Sequence, residues 1–140
     1  MMVDIEALIP QREPIKIITE IIELHDDLVI TAAVVNERWP LYDGHAVNPL
    51  VLIEAIAQTS AIAEGHKRML QGKSGVKGWL VGIKSAQFFT DALAPGTRMT
   101  VFVKSPYSFD NYGVIDGIVK AGDDILATAV LQAIRLNHDV

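Results

Sequence analysis

Apolar and polar positions follow two patterns along the chain, and these patterns separate one long helix from several strands. The only polar side chains between positions 50 and 63 are Glu54, Gln58, Thr59 and Ser60. Asn48 and Pro49 precede this stretch as a capping residue and a first-turn proline, and Gly72 follows it. The pattern therefore predicts a buried helix from Pro49 to about Leu70.

Strands are predicted on both sides of this helix, where β-branched residues are frequent or apolar and polar positions alternate. A hairpin is indicated around Gly122-Asp123-Asp124, because glycine and aspartate favour tight turns. The predicted strands cover 15–24, 28–35, 79–89, 97–106, 112–120 and 125–136, and a short helix is predicted over 3–9, before Pro10.

One nearly apolar helix among five or six strands predicts an α+β protein in which an antiparallel sheet wraps around the helix, the hot-dog fold. Small residues in the helix would let the sheet approach closely: Ala55, Ala57, Ala61, Ala63 and Gly65. At 140 residues the chain has room for one core, so we expect a single domain over 1–140. Sheets of this kind usually pair edge to edge in dimers.

Composition and charge narrow the possible functions. Half of the residues are hydrophobic and 21% are charged, which indicates that some apolar surface is buried in a second subunit or around a greasy ligand. The net charge of −5 argues against nucleic acid, and no uncharged apolar run is long enough to span a membrane. The absence of cysteine and of a recognisable secretory signal favours a cytoplasmic protein. The histidines lack metal-ligand spacing, and no phosphate-binding loop is present, so we expect neither metal nor cofactor.

The candidate chemistry lies at His45 and Glu54. Glu54 is the one charged residue in the helical stretch, and Gly44-His45 stands nine positions before it. A carboxyl group surrounded by Leu, Ile and Ala is costly to ionise unless paired, so we expect it to hold an available proton. An imidazole and a carboxyl group in an apolar setting are typical parts of proton-transfer catalysis. The structural alternatives are a loop histidine that hydrogen-bonds the backbone and a buried carboxylate paired with Arg98 or Lys84.

Four motifs in order resemble the β-hydroxyacyl-ACP dehydratases of fatty acid synthesis. They are Ile9-Pro10-Gln11-Arg12-Glu13-Pro14, Leu41-Tyr42-Asp43-Gly44-His45, Ile53-Glu54-Ala55-Ile56-Ala57-Gln58, and Val81-Gly82-Ile83-Lys84-Ser85-Ala86-Gln87-Phe88 followed by Pro95-Gly96. The resemblance covers most of the chain. It implies the hot-dog fold, syn elimination of water from a 3-hydroxyacyl thioester on acyl carrier protein or coenzyme A, and a homodimer or a higher assembly of dimers.

The resemblance also implies roles for individual residues. His45 would take the α-proton as a base, and Glu54 of the other protomer would protonate or orient the departing hydroxyl. Gln58, one helical turn further, would orient Glu54. Gly44 belongs to the Gly-His motif, and the N–H of Leu50, near the positive end of the helix dipole, would polarise the thioester carbonyl.

The loop after His45 departs from the family pattern. Only residues 46–49, Ala-Val-Asn-Pro, stand where the family has Phe-Pro-Gly-x-Pro-Val-Met-Pro-Gly, and Gln11 and Thr19 replace its usual His and Asp. The chain resembles the shortened, dehydratase-like hot-dog proteins found beside polyketide or aryl polyene synthesis. Two alternatives stay open: a thioesterase that activates water through Glu54 or Asp43, and a non-catalytic acyl-binding or partner subunit.

The basic residues near the end of the helix allow two interpretations. Lys67, Arg68, Lys73 and Lys77 form either a solvated helix end or a docking patch for an acidic carrier or its phosphopantetheine. The histidines expected to be solvated are His25, His66 and His138. The aromatic residues expected to pack in the core or a dimer interface are Trp39, Tyr42 and Trp79, with Tyr42 also able to line an acyl tunnel.

Overall fold

An antiparallel sheet and one long helix dominate the protein, whose computed structural model describes residues 4–72, 77–109 and 112–136. The helices are α1 (Ile5–Leu8) and α2 (Val51–Leu70), and the strands are β1 (Glu20–Leu24), β2 (Val29–Val34), β3 (Lys77–Phe88), β4 (Arg98–Phe109), β5 (Tyr112–Ala121) and β6 (Asp124–Leu136). Within these residues the sheet order is β1-β2-β4-β5-β6-β3, with every neighbouring pair antiparallel. This is the predicted hot-dog arrangement.

Helix α2 lies on one face of the sheet, where it packs against β2, β4, β5 and β6. Leu52 and Ile56 on the helix are fully buried, as are Met99 and Leu131 on the sheet. A Cβ atom added to Gly117 would lie 2.5 Å from Ile56 Cγ2, so the helix and β5 can approach only because position 117 is glycine. The helix and the sheet approach each other closely, as expected. The small residue at this contact is Gly117 of the sheet, whereas the prediction relied on small residues of the helix.

The first strand is shorter than predicted. The prediction began it at position 15, whereas β1 begins at Glu20. Ile17 and Ile18 are fully buried, and their backbone N–H groups donate to Gln58 Oε1 on α2, at 2.8 and 3.3 Å. Because these N–H groups bond to a side chain of the helix and not to a neighbouring strand, the segment does not join the sheet.

Helix α2 begins at Val51, two residues later than predicted. The N-cap residue is Leu50, which has no side-chain capping hydrogen bond, so the prediction of Asn48 as the cap is wrong by two residues. Asn48 Oδ1 accepts from the N–H of Leu50 at 2.9 Å, and its carbonyl oxygen accepts from Val51 at 3.1 Å. The helix ends at Leu70, just before Gly72, whose φ of +71° favours glycine. No helix within the described residues has both the length and the apolar character needed to cross a bilayer.

Strand β3 forms one edge of the sheet described here, where it pairs with β6. Its register sets Ile83 opposite the buried Leu131 and Phe88 opposite the buried Ala127, so both side chains belong to the face that α2 covers elsewhere. Leu80, Ile83 and Phe88 are nevertheless 42%, 50% and 39% exposed. We call these three residues the β3 stripe, an apolar surface that α2 leaves uncovered.

Candidate active site

His45 lies in a tight turn between β2 and α2. Asp43 Oδ1 accepts hydrogen bonds from the backbone N–H groups of His45, at 2.8 Å, and Ala46, at 2.9 Å. The N–H of Asp43 donates to the carbonyl oxygen of Ala46 at 3.1 Å. Gly44 has a φ of +99°, a conformation that glycine adopts without strain. The Asp-Gly-His order therefore shapes the turn on which the imidazole stands.

The same contacts set the charge of Asp43. The backbone N–H donors of Ala46 and then of His45 lower the pKa of the Asp43 carboxyl below its ordinary value of 3.8, with a smaller contribution from the charge of His45. Partial desolvation acts in the opposite direction and is outweighed. Asp43 is therefore a carboxylate at neutral pH.

The base of the His45 turn is fastened to the rest of the protein. Val47 and Leu93, both buried, exchange two backbone hydrogen bonds of 2.9 Å, and the N–H of Asn48 donates to the carbonyl oxygen of Leu41 at 3.0 Å. The His45 residue itself is exposed in the protomer. The loop thus holds the backbone of His45 in place and leaves its ring accessible.

Glu54 lies in the first turn of α2 and is only half-buried, so the apolar enclosure expected from its neighbours in sequence is incomplete in one protomer. Gln58 Nε2 donates to Glu54 Oε1 at 2.9 Å. Arg98, one cation considered as a partner, binds Glu20 Oε2 at 3.0 Å, and Lys84 is exposed. Within the described residues Glu54 forms no ion pair, so the proposed structural pairing with Arg98 or Lys84 is absent there.

Gln58 is fully buried and uses every hydrogen-bonding position of its amide. Its Oε1 accepts from Ile17 and Ile18, and its Nε2 donates to the carbonyl oxygen of Ile15, at 2.7 Å, and to Glu54. The expected hydrogen bond to Glu54 is present. The three contacts with residues 15–18 could not be read from the sequence, because they join positions forty or more apart along the chain, Ile17 to Gln58 for example.

One further expectation stays a prediction, and another needs correction. The N–H of Leu50, considered as a donor to the thioester carbonyl, already donates to Asn48 Oδ1 at 2.9 Å. Arg68, expected at a solvated helix end or in a docking patch, is buried at 7% exposure, whereas Lys67 is exposed. Lys73 and the side chain of Lys77 lie outside the described residues.

The remaining histidines and aromatic residues differ in their surroundings. His25 is exposed, with Nε2 3.1 Å from Glu23 Oε2, as expected, whereas His66 is half-buried. Trp39 is buried in the core. His138 and the side chain of Trp79 lie outside the described residues.

A pocket of about 300 Å³ lies beside the His45 turn. Tyr42, Asp43, Asn48 and Asp91 contribute to its lining, whereas neither His45 nor Glu54 does. No hydrogen bond joins His45 to Glu54 among the residues that the structure describes. Within the same ranges, no three metal-ligating side chains come together. The two candidate catalytic groups are therefore not joined through this pocket, nor by a hydrogen bond among the described residues.

Comparison with known proteins places these features in a family. The ApeP-like family model, described as ApeP dehydratase, matches residues 3–139. The 3-hydroxyacyl-[acyl-carrier-protein] dehydratase FabZ of Caldanaerobacter subterraneus subsp. tengcongensis is 28% identical over 135 residues, covering 92% of this chain and 93% of the relative. FabZ of Thermoanaerobacter pseudethanolicus is 29% identical over 137 residues, covering 94% of each. The resemblance indicated by the four motifs is confirmed.

Solved structures agree on the fold. The dehydratase heterocomplex ApeI:P from Xenorhabdus doucetiae contains a chain that superposes with a TM-score of 0.88 at 19% identity, covering 99% of this chain and 94% of that one. A hypothetical thioesterase from Streptococcus pneumoniae, solved with coenzyme A, gives a TM-score of 0.65 at 14% identity, with coverage of 84% and 85%. At these identities the likeness establishes the hot-dog fold alone.

Proposed function

Because the chain belongs to the ApeP-like dehydratase family, we propose that it removes water from a 3-hydroxyacyl thioester at a site built from two protomers. His45 of one protomer is the base, and Glu54 of the second protomer is the acid. The family match across residues 3–139 is the observation that carries the proposal. The FabZ relatives, whose names specify 3-hydroxyacyl-[acyl-carrier-protein], support the same class of substrate.

His45 suits the role of base. The proton next to a thioester carbonyl is only weakly acidic, so its removal needs a group that accepts protons near neutrality, which imidazole does. The exposed His45 stands on a turn held by Asp43 and fastened by Val47 and Leu93, so it can meet substrate without rearrangement of the loop. Such preorganisation lowers the entropic cost of reaching the transition state.

Glu54 suits the role of acid. Its carboxyl is half-buried, accepts one hydrogen bond from Gln58 and has no cationic partner among the described residues, so it is available to a ligand. A second protomer packed over this region would exclude the remaining water from the carboxyl and leave it facing the substrate. Neither residue lines the pocket beside the His45 turn, and no hydrogen bond joins them among the described residues, as we expect if each protomer contributes one of the two groups.

The reaction balances with these two residues alone. His45 takes the proton from C2, the electron pair of that C–H bond forms the C2–C3 double bond, and the C3–O bond breaks. Glu54 gives its proton to the departing oxygen, and water leaves. The products at the site are an imidazolium and a carboxylate, and proton transfer between them through solvent restores the starting state.

Charge that develops on the thioester oxygen needs a hydrogen-bond donor. Leu50 can supply its N–H only after Asn48 Oδ1 releases it, because the two are bonded in the free protein. Asn48 is exposed, so its side chain is free to turn toward solvent when a substrate carbonyl arrives. The carbonyl oxygen of the substrate would then take the place of Asn48 Oδ1 as the acceptor of the Leu50 N–H.

The second protomer would join at the edge formed by β3. Within the described residues this strand pairs only with β6, and it carries the apolar β3 stripe on its inner face. Edges of this kind readily pair with another chain. Lys84 is the one charged residue between Leu80 and Phe88. We expect a homodimer through this edge, with further association of dimers.

We also expect the acyl chain to be carried by acyl carrier protein in preference to coenzyme A, as the names of the FabZ relatives suggest.

The deciding experiment is a mass assay on a 3-hydroxyacyl group carried by acyl carrier protein and, in parallel, by coenzyme A. The wild type should remove one water from the acyl chain, and His45→Ala should not. Release of the free acid with no loss of water would indicate a thioesterase. An intact acyl chain with both proteins, despite tight binding, would indicate a non-catalytic acyl-binding subunit and would overturn the proposal.

A further inference from the structure

We propose that Leu41 is a positioning residue, whose left-handed backbone conformation sets the direction in which the following turn presents His45. The inference rests on the proposed function, because it takes His45 as the base. It adds a residue outside the candidate catalytic pair, and it assigns the effect to the backbone conformation of Leu41 and not to its side chain.

The backbone of Leu41 is in a conformation that leucine rarely adopts. Its φ is +67°, and no other non-glycine residue has a positive φ among the residues that the structure describes. In this region Cβ crowds the following carbonyl oxygen, so a bulky L-residue stays there only where its surroundings impose it. Packing of the side chain does not impose it, because Leu41 is 51% exposed. The cause therefore lies in the backbone on either side.

The chain leaves the core immediately before Leu41. Trp39 is buried at 4% exposure, and its backbone N–H donates to the carbonyl oxygen of Asn36 at 3.3 Å. Pro40 follows, and its ring locks φ at about −65°, so Pro40 has little freedom to change the path of the chain. Leu41 is consequently the first residue after the buried Trp39 at which the chain can change direction.

Backbone pairing carries the direction set at Leu41 to His45. The carbonyl oxygen of Leu41 accepts from the N–H of Asn48 at 3.0 Å, and Tyr42 forms an antiparallel bridge with Val47. These two pairings make a short hairpin, and His45 lies near its tip. A rotation about the backbone of Leu41 would break a pairing or swing the hairpin, and either change would move the imidazole.

The conformation can be tested by stability alone, with glycine and alanine at position 41. Both variants lose the same apolar side chain, but only glycine adopts a positive φ without strain. Leu41→Gly should therefore unfold at a higher urea concentration than Leu41→Ala. The same pair at Leu70 is the control, since Leu70 is 75% exposed, belongs to α2 and has no positive φ. There alanine should be the more stable of the two. The same order at both positions would refute the strained conformation.

The effect on catalysis can be tested with asparagine and valine. Asparagine tolerates the left-handed region, whereas the β-branched valine does not. Leu41→Asn should keep the wild-type kcat within about twofold, because the hairpin keeps its direction. Leu41→Val should lower kcat about tenfold to a hundredfold, the scale of a misplaced catalytic group, with KM changed less than about twofold.

Each catalytic variant can contradict the positioning role. A kcat as low in Leu41→Asn as in Leu41→Val would show that the side chain itself is required, and an unchanged kcat in Leu41→Val would show that the conformation is not. Leu41→Asn and the glycine–alanine pair keep the proposal open to refutation even where Leu41→Val does not fold.

The direction of the hairpin can also be followed without turnover. The backbone N–H groups of His45 and Ala46 donate to Asp43 Oδ1 at 2.8 and 2.9 Å, so their amide NMR signals report the turn directly. Both signals should move in Leu41→Val and stay near their wild-type positions in Leu41→Asn, and equal shifts in the two variants would overturn the inference. A wild type without dehydratase activity would refute the proposed function, and these signals would still decide whether Leu41 directs the hairpin.

Discussion

Asp43 Oδ1 lies 2.8 Å from the backbone nitrogen of His45 and accepts its hydrogen bond. The same oxygen accepts a second hydrogen bond, 2.9 Å long, from the backbone N–H of Ala46. One carboxylate therefore closes the turn that carries the candidate base. Asp43 therefore influences His45 mainly through the backbone, and its ionisation is coupled to the stability of this turn.

Acid should weaken the wild type more than Asp43→Asn. The pKa of Asp43 is lower in the folded protein than its ordinary value of 3.8, so the carboxylate stabilises the fold above that value. This contribution is lost as the pH falls through the lowered folded pKa. Asparagine keeps an acceptor oxygen without the charge. Urea midpoints at neutral and strongly acidic pH should differ less in the variant, and an equal difference in both proteins would contradict the role given to Asp43.

Mixed dimers should report whether the site is shared between protomers. His45→Ala and Glu54→Ala should each reduce dehydration by at least about a hundredfold, the usual scale for losing a general acid or base. When the two inactive variants are unfolded together and refolded as a mixture, hybrid dimers should recover part of the activity, because one of their two sites is intact. A mixture as inactive as its components would place both groups in the same protomer.

Glu54→Gln removes the ionisable group of this side chain and keeps its shape, so it should affect turnover and not stability. The variant amide can still accept from Gln58 Nε2 through its oxygen, so we expect stability at least equal to the wild type, measured by urea unfolding, together with loss of turnover. A fall in stability of several kcal/mol, as in the breaking of a buried ion pair, would instead identify Glu54 as a structural carboxylate.

Charge on the inner face of β3 should block assembly. Ile83→Lys places an ammonium group within the β3 stripe, and a buried unpaired charge opposes association. The variant should run as a monomer in size-exclusion chromatography with light scattering and should lose activity. Gln87→Lys, on the opposite face of the same strand, is the control and should keep the wild-type assembly. An Ile83→Lys oligomer of unchanged size would exclude this edge as the interface.

Gly117→Ala should destabilise the core by overpacking. The added methyl group would meet three atoms of Ile56 within 2.9 Å, and forced contacts of this kind cost roughly 1–3 kcal/mol. Ile56→Ala in the same background should recover part of that loss, because it removes the atoms that clash. Chemical denaturation of the two single variants and the double variant measures this coupling, and additive losses would refute the contact.

Much of the fold could be predicted from local pattern. The long helix was expected to end near Leu70 and does, and the hairpin around residues 122–124 lies between β5 and β6, as the glycine and aspartates there indicated. The first strand was predicted too long, because Ile17 and Ile18 have strand-like side chains whose backbone partners lie on the helix. The residue types of a segment indicate whether it favours a strand. Whether the segment joins the sheet depends on which acceptors bind its backbone N–H groups.

The candidate site was predictable in its residue types and only partly in its contacts. The sequence by itself determined a hot-dog chain with a Gly-His pair, a helical Glu54 and a Gln58 one turn later, because periodicity, turn residues and motif order are local properties. Only the tertiary structure decided that Asn48 occupies the N–H of Leu50, that Arg68 is buried, that Arg98 binds Glu20 rather than Glu54, and that α2 leaves the β3 stripe uncovered. Each of these depends on which distant groups compete for the same donor or surface, and such competition is settled by packing in three dimensions.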